Sequence, residues 1–131
     1  MNTDKDIVLD IKDLVVEYET MEGVVHAVNG IDLKVARKQS VGLVGETGAG
    51  KTTLALSVLR LVPNPPGVIK NGKIFLDGID ILSLSEAKMR SLRGSGVSMI
   101  FQDPMTSLNP VITVGEQIAE VIRLHEGLSH S

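Results

Sequence analysis

The sequence has no cysteine, no tryptophan and only three aromatic rings, Tyr18, Phe75 and Phe101, among 131 residues. Without cysteine there can be neither a disulfide nor a thiolate metal site. The histidines, His26, His125 and His130, do not cluster at metal-ligand spacing. No apolar run approaches the ~20 residues that cross a bilayer, and no positively charged apolar segment of the export-signal kind opens the chain. A net charge of −3 without a basic stripe argues against nucleic acid as a partner. Internal repeats and low-complexity segments are also lacking. What is present is one domain's length, 43% hydrophobic, large enough to bury about two thirds of its unfolded surface. A cytoplasmic location is expected.

The chain is organised around Gly45-Glu46-Thr47-Gly48-Ala49-Gly50-Lys51-Thr52. Two glycines with four residues between them, followed by Lys and Thr, form the pattern of a phosphate-binding loop between a buried strand and a helix. Backbone N–H groups must crowd around phosphate oxygens, which requires positive φ and no Cβ in the way. Lys51 would reach the β/γ-phosphates, the Thr52 hydroxyl would take a Mg²⁺ position, and the N-terminus of the next helix would favour the anion. Val41 to Val44 predicts the strand that delivers the loop. Leu54, Val58 and Leu61, with Ala55, Leu59 and Val62, predict a helix from Thr52 to Val62, apolar over most of its circumference and stopped by Pro63-Asn64-Pro65-Pro66-Gly67.

Alternation predicts strands at Ile7, Leu9 and Ile11 and at Ile31, Leu33 and Val35, with Glu17 to Gly23 as a turn or exposed strand end. Gly72 to Ile81 reads as an antiparallel hairpin around Asp77-Gly78. Ser85 is expected to cap a helix through about Leu92, broken by Gly94-Ser95-Gly96. Val97 to Phe101 predicts another buried strand, leading into Gln102-Asp103-Pro104, a loop from Met105 to Pro110, and an amphipathic helix from Val114 to about Leu124. The tail, Gly127 to Ser131, is expected to fray.

The loop GETGAGKT, the hairpin KIFLDGIDI and above all MIFQDPMTSLNP followed by VGEQIAE resemble the N-terminal half of an ABC transporter ATP-binding subunit of the dipeptide/oligopeptide importer type. The likeness runs from about Ile7 to Leu124. It implies an α/β P-loop nucleoside triphosphatase with a RecA-like core and an antiparallel β-subdomain, here truncated after the helix that follows Gln102. Residues 1–131 would be the N-terminal portion of an ABC-type ATP-binding domain. The implied function is to couple ATP binding and hydrolysis to peptide import, on the cytoplasmic face of the membrane. The implied partners are permease subunits and a second ATP-binding subunit.

By the same resemblance Gln102 matches the loop glutamine that touches Mg²⁺ or attacking water, a task that suits an amide able to donate and accept. Tyr18 matches the adenine-stacking aromatic. The implied cofactors are ATP and Mg²⁺. Catalytic roles fall to Lys51 and Gln102, metal roles to Thr52 and Gln102, and nucleotide binding to Tyr18 and to Gly45, Glu46, Thr47, Gly48, Ala49, Gly50, Lys51, Thr52 and Thr53.

Asp77 ends an apolar run in the manner of a Mg²⁺-holding motif, but Gly78 follows it in the hairpin, so a turn role is expected. Leu92 to Gly96 faintly resembles the family signature, yet precedes Gln102 where the signature should follow. Lys88, Arg90 and Arg93 read as a solvated helix face, and His26 and His125 as structural or solvent-facing. A Gly-Glu pair usual before the third strand is replaced around Lys38-Gln39, a change expected to cost little. The signature, second-motif Asp, water-orienting glutamate and switch histidine, all downstream in the family, do not occur here. This chain is therefore expected to bind nucleotide better than it hydrolyses it, and Val41 to Val44 and Val97 to Phe101 are expected to carry unpaired strand edges. Two other readings stay open: a catalytically silent nucleotide-binding remnant, and another P-loop phosphotransferase, for which Arg60, Arg90 and Arg93 offer no convincing acceptor-site arginine.

Overall fold

A computed structural model describes residues 6–103 and 107–126. The expectations for 104–106 and for the tail from Gly127 lie outside these. The chain divides into two compact units, one up to Glu86 and one from Ala87.

The first unit is built on a four-stranded antiparallel sheet: β1 (Ile7–Thr20), β2 (Gly23–Ala36), β3 (Gly67–Leu76) and β4 (Ile79–Asp80), in spatial order β2-β1-β3-β4. Both alternating segments prove to be parts of much longer strands. Met21 and Glu22 form a two-residue turn between Thr20 and Gly23, and the Thr20 hydroxyl closes it by donating to the Gly23 carbonyl at 2.7 Å. The turn is thus confined to Met21-Glu22, and Glu17 to Thr20 form the strand end, paired in β1.

Ile11, Leu14 and Val16 of β1 are all fully buried, although Ile11 and Leu14 are three residues apart. In a regular strand they would face opposite ways. A bulge between them returns the chain to the same face, with Asp13 at φ 46°. Both neighbouring strands hold it: the Asp13 N–H donates to Asp32 Oδ1 at 2.8 Å, and Asn71 Nδ2 donates to Asp13 Oδ2 at 2.6 Å. On β3, Gly72 (φ 104°) lies where a Cβ would come within 2.6 Å of the Leu14 Cα. The apolar face formed this way also includes Val28, Ile74 and Leu76, and Leu54, Leu59 and Ile81 complete the buried large apolar side chains among the described residues of the unit.

The hairpin forms as the sequence predicts, Phe75 pairing with Asp80 and Leu76 with Ile79. Asp77 (φ 46°) and Gly78 (φ 79°) supply the two left-handed residues of its turn, and Asp77 is ion-paired with Arg37. At the Lys38-Gln39 turn, Lys38 takes φ 62° and the Gln39 side chain accepts from the Ala36 N–H at 2.8 Å.

The helix after the phosphate loop, α1 (Lys51–Val58), is shorter than periodicity predicts. It ends before the prolines, because Arg60 adopts φ 52°, its N–H bonding the Ser57 carbonyl at 3.1 Å while the Leu61 N–H bonds that of Leu56 at 2.9 Å. This 6→1 and 5→2 pair is a Schellman cap with arginine in the place glycine usually holds. The Arg60 guanidinium compensates by donating to the Leu84 carbonyl at 2.6 Å.

Two expected strands do not form. Val41 to Val44 has no strand partner and is exposed, Val44 at 96%; of Val97 to Phe101 only Val97 makes an isolated bridge, to Arg93, and Ile100 is 97% exposed. A strand needs a neighbour to receive its N–H and C=O groups, and among the described residues neither segment has one.

In the second unit α2 (Glu86–Leu92), which starts at the boundary, matches its expected bounds and runs into the turn at Gly94. The last helix, α3 (Val114–Glu126), opens with a capping box. The Glu116 N–H donates to Thr113 Oγ1 at 3.2 Å, and the Glu116 carboxylate accepts in return from the Thr113 N–H at 3.4 Å and from its hydroxyl at 2.9 Å. Gln117 Nε2 ties the preceding loop to the helix through the carbonyls of Asn109 and Ile112, each at 2.9 Å. None of the α3 residues is buried.

Candidate phosphate-binding site

Gly45 to Thr52 form the expected loop, open to solvent, with α1 starting at Lys51. Gly48 and Gly50 take φ 85° and 79°, left-handed values that L side chains rarely adopt. At Gly50 space is also lacking, since a Cβ would lie 2.0 Å from the Ala27 carbonyl oxygen of β2. The glycine is therefore required by conformation and by close approach to the sheet. No side chain caps α1 and its first turn holds no acid. The first N–H groups of a helix have no intrahelical acceptor, so here they stay available to an anion.

Lys51 folds back over the loop, its Nζ donating to the carbonyls of Gly45 and Glu46, both at 2.6 Å. The Ala49 N–H closes the turn onto Glu46 at 3.1 Å. An ammonium held only by two carbonyls can be redirected to phosphate oxygens, which bind it more strongly than neutral acceptors do. Thr47 and Thr52 are exposed, and Thr53 is half-buried.

Tyr18, near the end of β1, is half-buried, and its hydroxyl lies 3.3 Å from Thr53 Oγ1. The structure thus brings the sole tyrosine to the start of α1, joining two parts of the sequence-predicted site. The residues on either side of Tyr18 in β1 each meet a basic side chain. His26 Nδ1 is 2.9 Å from Glu17, and Lys70 Nζ is 2.8 Å from Glu19. The hydrogen bond from Lys70, reinforced by its charge, holds the Glu19 carboxyl below its ordinary value, and Glu19 in turn raises Lys70.

Gln102 belongs to the second unit, where it is exposed in a bend of the chain beside Asp103. Among the described residues no group of three potential metal ligands occurs, and no helix is long and apolar enough to cross a membrane. Sequence reasoning missed Ala27. Its signal is the two-residue turn at Met21-Glu22, which sets the β1–β2 register that pairs Tyr18 with Val25 and Glu17 with His26.

The ABC transporter family profile matches residues 28–130, including the loop and Gln102. The chain belongs to the ABC transporter family. It is 43% identical to the oligopeptide transport ATP-binding protein OppD of Bacillus subtilis (strain 168), over 92% of this chain and 34% of that protein. It is equally 43% identical to the probable D,D-dipeptide transport ATP-binding protein DdpD of Escherichia coli (strain K12), over 93% of this chain and 37% of that one. The chain therefore spans about a third of the length of these relatives. Its fold is that of a bacterial ABC transporter cassette solved as a dimer, with a TM-score of 0.80 at 20% identity over 94% of this chain and 50% of the cassette. A post-hydrolysis form of that cassette holds ADP and Pi, with a TM-score of 0.76 and 19% identity over the same shares.

Proposed function

We propose that these residues form the N-terminal portion of an ABC-type ATP-binding domain whose whole protein couples ATP binding and hydrolysis to peptide import. The observation that carries this reading is the phosphate loop, with Gly50 against the Ala27 carbonyl and Lys51 poised over the loop, in a chain 43% identical to an oligopeptide transport ATP-binding protein.

In this reading Tyr18 stacks on the adenine, held in place through Thr53. The N–H groups of the loop, from Gly45 to Thr53, receive the phosphates, and Lys51 leaves its two carbonyls for the β/γ-phosphates. Thr52, whose hydroxyl is exposed at the loop, and Gln102, a neutral amide, suit a hard oxygen-seeking cation. Mg²⁺ held by oxygen donors of this kind would neutralise phosphate charge. Gln102 also positions water and relays nucleotide state to permease subunits, and a second ATP-binding subunit completes a dimer at the cytoplasmic membrane face. OppD and DdpD, by their names, serve oligopeptide and D,D-dipeptide transport, which makes a peptide the proposed cargo.

ATP binding to the 131-residue chain is the first test. Lys51→Ala should weaken it by at least about tenfold, the loss of a charge-assisted hydrogen bond. Equal affinity in the variant would remove the loop from the reading. Transport by the assembled importer should fall with Gln102→Ala while ATP binding persists; unchanged transport would end the relay role.

A further inference from the structure

In the first unit β3 has a full strand neighbour on one side only. That neighbour is β1, from Tyr18 opposite Gly67 to Leu9 opposite Leu76, while on the other side β4 meets only Phe75 and Leu76. Two bonds at the start of β3 show which backbone groups face the open side. The Pro66 carbonyl accepts the Glu19 N–H of β1 at 2.9 Å, and the Gly67 N–H turns the other way, to the Pro63 carbonyl at 2.6 Å. Because these groups alternate along an antiparallel strand, the N–H and C=O of Ile69 also face away from β1, and among the described residues no strand receives them.

Beside this edge lies a groove of about 540 Å³. One wall is β3 from Gly67 to Gly72, and the other includes Arg60, Val62 and Leu82. Val62, Ile69 and Leu82 are half-buried and give the groove an apolar floor. Arg60 is part of the wall, its guanidinium donating to the carbonyls of Leu84 at 2.6 Å and Ile81 at 3.3 Å. Two lysines stand along the strand. Lys70 is held by Glu19 at 2.8 Å, whereas Lys73 lies opposite Lys12 in the ladder and has no carboxylate in ion-pair range among the described residues.

We infer that this edge accepts an extended segment of another polypeptide, with apolar and acidic residues alternating, as an added strand. Main-chain hydrogen bonds to Ile69 attach the segment, and the alternation of its side chains selects it: one set enters the groove against Val62 and Leu82, and the other reaches toward Lys73. A segment of about five residues spans Val68 to Gly72. Charge separates this occupant from a second copy of the chain. Lysine on an edge discourages like edges from meeting, and a two-fold antiparallel pairing of β3 with itself brings Lys70 and Lys73 against the same lysines. An acidic strand is attracted by those charges.

The test adds to the full chain a capped peptide of about seven residues that alternates valine and glutamate, followed by amide NMR and hydrogen exchange. Saturable shifts are expected at Val68 to Gly72, with exchange of the Ile69 N–H slowed at least about tenfold at saturation. The same peptide with every amide N-methylated should not bind, because it has no donor for the edge. A valine–lysine peptide should bind at least about threefold more weakly. Lys73→Glu, at an exposed position, should weaken the valine–glutamate peptide by a similar factor with the rest of the spectrum unchanged. No saturable shift at these amides, binding that survives N-methylation, or indifference to both charge reversals would overturn the inference. Protection of Ile69 that grows with chain concentration in the absence of peptide would assign the edge to a second copy and overturn it as well.

Discussion

The Tyr18 hydroxyl lies 3.3 Å from the Thr53 hydroxyl, across 35 positions of sequence. One contact thus ties the end of β1 to the first turn of α1. It predicts separable roles for the ring and its hydroxyl. Tyr18→Phe should keep ATP affinity within about fivefold, since a neutral hydrogen bond contributes only about 1 kcal/mol, whereas Tyr18→Ala should lose about tenfold or more with the stacking face. Nucleotide titration of both variants checks this. Equal affinity in Tyr18→Ala and the parent would end the adenine assignment.

At Gly50 both the φ of 79° and the 2.0 Å approach to the Ala27 carbonyl forbid a side chain. Gly50→Ala should shift the loop off β2 and cost about 1–3 kcal/mol in stability together with nucleotide binding. Gly115→Ala, where a Cβ meets nothing within 4 Å, serves as the control and should leave ATP affinity unchanged. Thermal melts and ATP titration read the contrast.

The exposed Glu19–Lys70 pair gives a pH prediction. Glu19 is lowered from its ordinary 4.5, so its contribution is present above that pH and is lost as pH falls through the lowered value. Lys70 is raised from its ordinary 10.5, so its contribution is present below that pH and is lost as pH rises through the raised value. Between these limits the pair contributes little, because both groups are solvated. In Lys70→Met, NMR titration should find Glu19 returning toward 4.5; an unmoved Glu19 would mean another cation sets it.

Val44 and Ile100, almost fully exposed in segments of strand-forming composition, should drive self-association. Light scattering should record concentration-dependent growth of the parent chain and a clear reduction in the Val44→Lys, Ile100→Lys double variant. Equal scattering would place the sticky surface elsewhere.

Much of the site was legible because it is local. The loop needs glycine at fixed spacing, a lysine and a threonine, all within eight positions, and backbone geometry leaves few other residues able to serve. The Asp77-Gly78 hairpin was legible for the same reason, its turn demanding two left-handed residues in sequence. The bulge at Asp13 was not, because its signal is a change of parity between Ile11 and Leu14 that looks like lost alternation until β2 and β3 hold it. Arg60 also escaped: arginine at a left-handed helix end has no local signature, and its stabilising acceptor at Leu84 lies in another element.

Val41 to Val44 and Val97 to Phe101 mark the boundary between the two kinds of information. Their apolar runs declare strand propensity, which is written in side chains. Whether a strand forms depends on a neighbour that accepts its backbone hydrogen bonds, and that is a property of the assembled fold. In the same way, residue type placed the phosphate loop, the family resemblance and the candidate site residues in view, since each rests on short-range chemistry. Folding alone placed Ala27 behind Gly50, Tyr18 beside Thr53 and His125 on Gly94, because distances between remote segments are set by strand register and packing.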